Sequence, residues 1–260
     1  NEKTYDKWAG GSLYIASGGT ATRYLSGAQP NVNVELALSQ KKTLDLCLYN
    51  KAVHVIGSSH DQIYLVGGST LVLSDCRKTG KVIGSAVASG SGGVAHVKNG
   101  TLSVYDVTLT GGIAKNGGAI VVDKDGTLNL YGGTITGNTA SGLGGGIYVE
   151  ASGMVNVKGA PIVKDNTANG KPSNLYICAN SSSPLLTIDA EGLTTDAQIG
   201  ISTDASCPVL LAGGMQTDYS AYFIPDDANT FVLYNSDAKT LTLCAKPTAT
   251  LEGDTLTITT

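Results

Sequence analysis

The chain has 260 residues, 42% of them hydrophobic, enough apolar side chain for a sizeable core and too much for intrinsic disorder. Only 15% are charged and the net charge is −4 with no basic cluster, which excludes nucleic acid and anionic membrane as expected partners. No apolar run reaches the roughly 20 residues of a membrane-spanning helix, and the wealth of Gly, Thr, Ser and Asn is that of extracellular β-solenoids rather than cytosolic enzymes.

From Tyr5 to Ser26 the patterning is weak, with Leu13 and Ile15 the one clear inward pair. Trp8 is placed to plug the open N-terminal end, because a solenoid must cap its first coil. Val32, Val34, Leu36 and Leu38 alternate as a strand, and Leu44, Leu46 and Leu48 do so in the next. Ile63-Tyr64-Leu65 and Ser69-Thr70-Leu71-Val72-Leu73 then repeat a two-block coil, 27 residues separating Leu44 from Leu71. Ser89 to Gly93 reads as a Gly/Ser connection.

The most regular stretch follows. Gly100-Thr101-Leu102-Ser103-Val104-Tyr105 returns 26 residues later from Gly126 to Tyr131, and after a further 27 as Gly153 to Lys158. Upstream of each copy sits a second block (Ala95-His96-Val97, Ile120-Val121-Val122, Ile147-Tyr148-Val149, and once more Leu175-Tyr176-Ile177). Downstream sits a third: Thr108-Leu109-Thr110, Thr134-Ile135-Thr136 and Pro161-Ile162-Val163. Alternation with a period of two is that of strands with one buried face. Three short strands per coil, recurring at this interval, predict an all-β parallel β-helix in which equivalent residues stack at about 4.8 Å. Gly117-Gly118 and Gly144-Gly145-Gly146 fit tight corners. Asn116, Asn138 and Asn166 fall near corners, where an amide can bond the backbone of a neighbouring coil.

Leu186-Thr187-Ile188-Asp189 and then Ala197, Ile199 and Ile201 continue the stack. Phe231 to Tyr234 and Thr240 to Leu243 predict an antiparallel hairpin that closes its lower end. The expected layout is an N-terminal cap and first coil over 1–31, the β-helix over 32–206, a C-terminal coil with capping hairpin over 207–246, and the start of a following β domain or linker over 247–260. Asn1 as a start, and a tail ending in strand-like sequence, are what a piece of a longer secreted or surface-bound protein would have. The five cysteines (47, 76, 178, 207 and 244) match no metal-binding spacing, and their odd number cannot be fully paired within the chain. Cys47 with Cys76, and Cys207 with Cys244, are near enough in coil position to approach; buried free thiols are the simpler reading.

The runs Lys42-Thr43-Leu44-Asp45-Leu46-Cys47-Leu48 and Ser69-Thr70-Leu71-Val72-Leu73-Ser74-Asp75-Cys76 resemble the opening coils of β-helix modules in very large surface proteins of Gram-positive gut bacteria. Gly117-Gly118-Ala119-Ile120 and Gly145-Gly146-Ile147-Tyr148 resemble the Gly-Gly-Ala-Ile signature of polymorphic-outer-membrane-type adhesins, and Gln198-Ile199-Gly200-Ile201 is similar to a closing coil of the same modules. The resemblance covers most of residues 32–243. It implies a right-handed, pectin-lyase-like β-helix in a multidomain, wall-attached, adhesin-like protein, and supplies no catalytic motif.

A β-helix acts through its outward ladders. Alignment places Tyr64, His96, Val121, Tyr148 and Tyr176 on one column, and Tyr105, Tyr131, Lys158 and Asp189 on another. Stacked aromatic faces can pack against sugar rings; equally, tyrosine is simply a good strand residue. Beside the first column lie Lys98, Asp123 and Glu150, where paired carboxylates one coil apart approach the separation of a retaining glycosidase pair or could share a hard cation. His54, His60 and His96 are scattered and complete no nucleophile motif, and no cofactor or zinc signature is present. The expectations are thus ranked: a non-catalytic surface module binding a glycan or host protein, most directly at Tyr148 and Tyr176; a carbohydrate-active hydrolase or lyase using Asp123, Glu150 and Lys98; and a rigid spacer.

Overall fold

The structure, a computed structural model, describes residues 6–8, 18–25, 31–34, 36–55, 63–178, 185–252 and 255–259. Leu13, Ile15 and His60 lie outside them, as does the side chain of Trp8, whose backbone forms the outermost strand, Asp6–Trp8.

Alternation builds the strands, and in-register stacking builds the fold. Thr20–Leu25, Thr43–Cys47, Ser69–Ser74, Gly100–Val104, Thr127–Leu130, Met154–Gly159 and Thr187–Leu193 lie side by side in a parallel, 8-stranded first sheet. Leu44 sits on Leu71, Leu71 on Leu102, Leu102 on Leu128 and Leu128 on Val155. All five are at most 1% exposed. A fully buried aliphatic side chain contributes roughly 1.5–3 kcal/mol before conformational entropy is subtracted, so one inward column stabilises the stack far more than any surface pair. The second and third predicted blocks form two further parallel ladders. One runs through Lys81–Ile83, Thr108–Thr110, Thr134–Ile135 and Ile162–Val163, the other through Ile63–Leu65, Ala95–Val97, Ile120–Val122, Ile147–Val149 and Leu175–Ile177. The chain is a parallel β-solenoid, and the predicted register holds in the first sheet and in the ladder from Ile63–Leu65 to Leu175–Ile177. In the other ladder it slips by one residue at the last coil: Thr134 pairs with Ile162 and Ile135 with Val163, where alignment set Thr134 against Pro161, because this puts Val163 on the buried column of Leu109 and Ile135.

A fourth short strand appears in the central coils where the sequence reads as connection. Ala86–Ser91, Ile113–Asn116, Thr139–Ala140 and Thr167–Ala168 pair in parallel, so the Ser89 to Gly93 segment is largely strand rather than linker. Small residues carry no periodic signal, yet they are what a narrow corner accepts. In the last coil this strand is omitted. Gln198–Thr203 instead runs along both remaining ladders, pairing with Ile162–Val163 at one end and Leu175–Ile177 at the other, and so fuses them into a 14-stranded sheet.

Three buried asparagines rivet one corner. Asn138 and Asn166 are each 1% exposed. The Asn138 carbonyl accepts from the Gly112 N–H (2.9 Å), and its amide donates to the Leu109 and Thr136 carbonyls and to Asn166 Oδ1. Asn166 repeats this one coil on, donating to Ile135 and Lys164 carbonyls and to Asn174 Oδ1. Asp226 ends the line by accepting from the Asn174 backbone and side-chain amides and from the Ser202 hydroxyl. Burial pushes its carboxyl above the ordinary range, while those donors pull the other way.

The predicted hairpin, Thr230–Asn235 with Thr240–Ala245, is antiparallel and gains a third strand, Val209–Gly213. That strand accepts backbone bonds from Leu185 and Leu186, which seats the hairpin on the end of the stack. Thr248–Glu252 and Thr255–Thr259 form a separate two-stranded hairpin. The one helical turn among the described residues is Ser220–Tyr222, and no helix there is long and apolar enough to cross a membrane.

Candidate functional site

The outward side of the first sheet carries two columns set by the same register. The inner one begins Asp45, Val72, Ser103, Asn129, Asn156. Its amides chain together: Asn129 donates to the Ser103 hydroxyl (2.9 Å) and Asn156 to Asn129 Oδ1 (2.8 Å). The outer column contains the predicted Tyr105, Tyr131 and Lys158 and extends further back. Tyr24 pairs with Cys47 and Cys47 with Ser74, one coil before Tyr105. Two small side chains therefore stand between two tyrosines. Tyr24 and Tyr105 are three coils apart, roughly 14 Å at the spacing of strands in a sheet, and nothing large fills the interval.

The result is a groove of about 690 Å³. It is lined by Tyr24 and Tyr105, by Asp45, Cys47, Val72 and Ser74, and by Tyr49, Asp75, Cys76 and Asp106 from the turns that follow the strands. Tyr49 leans on Tyr24, ring centroids 5.3 Å apart, and Arg77 lies 4.8 Å from the Tyr49 centroid while donating to its hydroxyl. Tyr105 also borders a smaller hollow of about 300 Å³ with Tyr131, Lys158 and Glu191. There Tyr131 meets Tyr105 edge-on at 5.4 Å, and Lys158 caps its ring at 4.5 Å while paired with Glu191. Burial, followed by the nearby Asp189 charge, raises the Tyr131 phenol.

Tyr24 and Tyr49 were not among the predicted residues. The first coils are irregular, and Tyr49 follows its strand instead of lying in it. Tyr24 nevertheless carries a signal: it is the fifth residue from Thr20, as Cys47 is from Thr43, Ser74 from Thr70 and Tyr105 from Thr101.

The opposite predicted column is also assembled as aligned. Tyr64 pairs with His96, His96 with Val121, Val121 with Tyr148 and Tyr148 with Tyr176. Tyr148 and Tyr176 stack nearly parallel, 20° and 6.0 Å apart, and the Cys178 thiol bonds the Tyr148 hydroxyl at 3.3 Å. That bond, with burial, pushes the Tyr148 phenol far upward. Both rings are half-buried against each other. Tyr64 meets His96 edge-on at 5.3 Å.

Beside this column, His96 Nε2 lies 2.6 Å from Asp123 Oδ2, and Glu150 stands close enough to Asp123 to feel its charge. Burial, then the Asp123 charge, raises the Glu150 carboxyl. Lys98 is exposed to solvent. With its folded pKa above the unfolded one, Glu150 contributes stability in acid that is lost as pH rises through the folded value. Glu150→Gln should thus raise stability at about pH 7 by a few tenths to about 1 kcal/mol, with the advantage vanishing below about pH 4. Melting curves of both proteins across that range check it; an advantage unchanged in acid would contradict a raised Glu150 carboxyl.

Cys47, Asp75 and Cys76 bring three potential metal ligands within 4.8 Å of one another. The Asp75 carboxylate is already saturated, however, since it accepts the backbone N–H groups of Asn50, Arg77, Thr79 and Gly80. Cys47 alone of the five cysteines is buried; Cys76 is exposed and the other three are half-buried, so buried thiols do not describe the set. No protein-family model, curated protein or solved structure matches the chain.

Proposed function

We propose that this solenoid is a non-catalytic carbohydrate-binding module, of the adhesin-like kind carried by pectin-lyase-like β-helices of secreted or cell-surface proteins, and that its ligand lies along the first sheet. One observation carries the reading: the interrupted tyrosine column, where Tyr24 and Tyr105 stand at the ends of a groove with Tyr49 on its rim. Aromatic faces spaced along a trough offer apolar area to sugar C–H groups, and polar groups beside them, here the Ser74 hydroxyl and the Asp106 carboxylate, can bond sugar hydroxyls. The charges favour a neutral or amino sugar. Asp45, Asp75 and Asp106 border the groove against two nearby cations, Arg77, which donates to the Tyr49 hydroxyl, and Lys78, which pairs with Asp106; the balance is one negative charge, which disfavours uronic or sialic acids. A host glycan fits this chemistry as well as a dietary one, and a host protein is supported only through its glycans.

The test is a glycan array of neutral, amino and acidic oligosaccharides, followed by calorimetric titration of any hit. Tyr24→Ala and Tyr105→Ala should each weaken binding on the order of tenfold, or about 1.4 kcal/mol, while a Tyr148→Ala, Tyr176→Ala double variant binds as the parent does. Silence from a folded sample, or loss confined to the double variant, would sink this site.

A further inference from the structure

We propose that Cys47 and Cys76 are a disulfide-forming pair that accepts oxidising equivalents from a small-molecule disulfide and staples two successive coils at the rim of the groove. Their sulfurs lie 3.5 Å apart, with the Cys47 thiol directed at Cys76. Cys47 belongs to the strand Thr43–Cys47 and pairs in register with Ser74, the last residue of the next coil's strand. Two residues further on, the chain turns back and brings Cys76 over Cys47. That turn is held rigidly by Asp75, 2% exposed, whose four accepted N–H bonds tie Asn50 on one coil to Arg77, Thr79 and Gly80 on the other. The backbone on both sides is thus fixed, and closing to an S–S bond of about 2.05 Å needs only side-chain rotation. Saturation of Asp75 also separates this proposal from a metal site: two thiols remain, without a third free ligand.

The two sulfurs differ in access, which orders the chemistry. Exposed Cys76, as thiolate, attacks one sulfur of oxidised glutathione; a Cys76–glutathione mixed disulfide forms, and the glutathione thiolate leaves and takes a proton from water. Cys47, giving its proton to solvent, then attacks the Cys76 sulfur and expels the second glutathione. Overall, two protein thiols are oxidised to one disulfide and one oxidised glutathione is reduced to two thiols. Because Arg77 follows Cys76 and holds Tyr49, the closed bond also fixes that ring at the groove.

The experiment treats the whole chain with oxidised glutathione, quenches by alkylation and maps the digest by mass spectrometry. The expected result is a Cys47–Cys76 cross-linked peptide pair, with Cys178, Cys207 and Cys244 still alkylated, and a melting temperature higher by roughly 5–15 °C that falls back with dithiothreitol. Cys47→Ser should stop at a stable glutathione adduct on Cys76. Should that variant fail to fold, the map of the parent chain decides alone. Cys47 remaining alkylable, a cross-link from Cys76 to another cysteine, or protection of both thiols by equimolar zinc in place of cross-linking would each overturn the proposal. None of these readouts depends on whether the groove binds sugar.

Discussion

Gly118→Ala is expected to cost at least about 3 kcal/mol of stability. The Cβ would sit 2.0 Å from the Gly145 carbonyl oxygen and 2.6 Å from the Thr139 nitrogen, both backbone atoms of the following coil. A clash with a flexible side-chain end relaxes cheaply, but here the only relief is to move two coils apart. Doing so would loosen the Gly118 N–H to Gly144 carbonyl bond of 2.9 Å and the ladder beside it. Urea unfolding followed by circular dichroism measures the loss. Gly213→Ala is the control: its added Cβ meets nothing nearer than 3.9 Å, so that variant should lie within about 0.5 kcal/mol of the parent. Equal stability of the two variants would mean that the corner opens freely. The Gly-Gly motif, read this way, marks close approach of coils and carries no ligand chemistry of its own.

Asn138→Ala should lose about 3 kcal/mol, measured in the same way. The substitution strands the Gly112 N–H and withdraws the donor from the Leu109 and Thr136 carbonyls and from Asn166 Oδ1, all at a site 1% exposed. An unsatisfied buried polar group costs roughly 1–3 kcal/mol, and partial relaxation keeps the total below a simple sum. Asn129→Ala provides the contrast. Its bonds to Ser103 and Asn156 form a similar ladder, but Asn129 and Asn156 are only half-buried, and water can reach the Asn156 amide, though Ser103 is 6% exposed, so the loss should stay near about 1 kcal/mol. A reversal of that order would make the outer amide ladder, rather than the buried one, the element that aligns the coils.

The contrast between these asparagines marks the limit of what sequence alone conveys. Asn138 and Asn129 are the same residue type in the same repeat; only burial separates a rivet from a surface bond. Likewise, alignment places Tyr105, Tyr131, Tyr148 and Tyr176 on their columns in the register the structure has, because each coil's inward leucines and valines permit only one stacking. Whether the rings of a column cover one another or stand apart is a different matter. Tyr148 and Tyr176 are adjacent and cover each other, whereas Tyr24 and Tyr105 are held apart by Cys47 and Ser74. That difference rests on neighbours across coils, and on Tyr49 and Cys76 returning from turns that follow no period.

What the sequence determined by itself is the solenoid: a period-two burial pattern, repeated at coil-length intervals, has one low-energy solution in which equivalent apolar residues stack. The terminal hairpin was legible for the same local reason. Tertiary structure alone decided the fourth strand of small residues, the fusion of two ladders in Gln198–Thr203, the pairing of His96 with Asp123 and the contact of Cys47 with Cys76. Each depends on distances between side chains on different coils, and these are set by corner geometry, not by the alternation that sequence records.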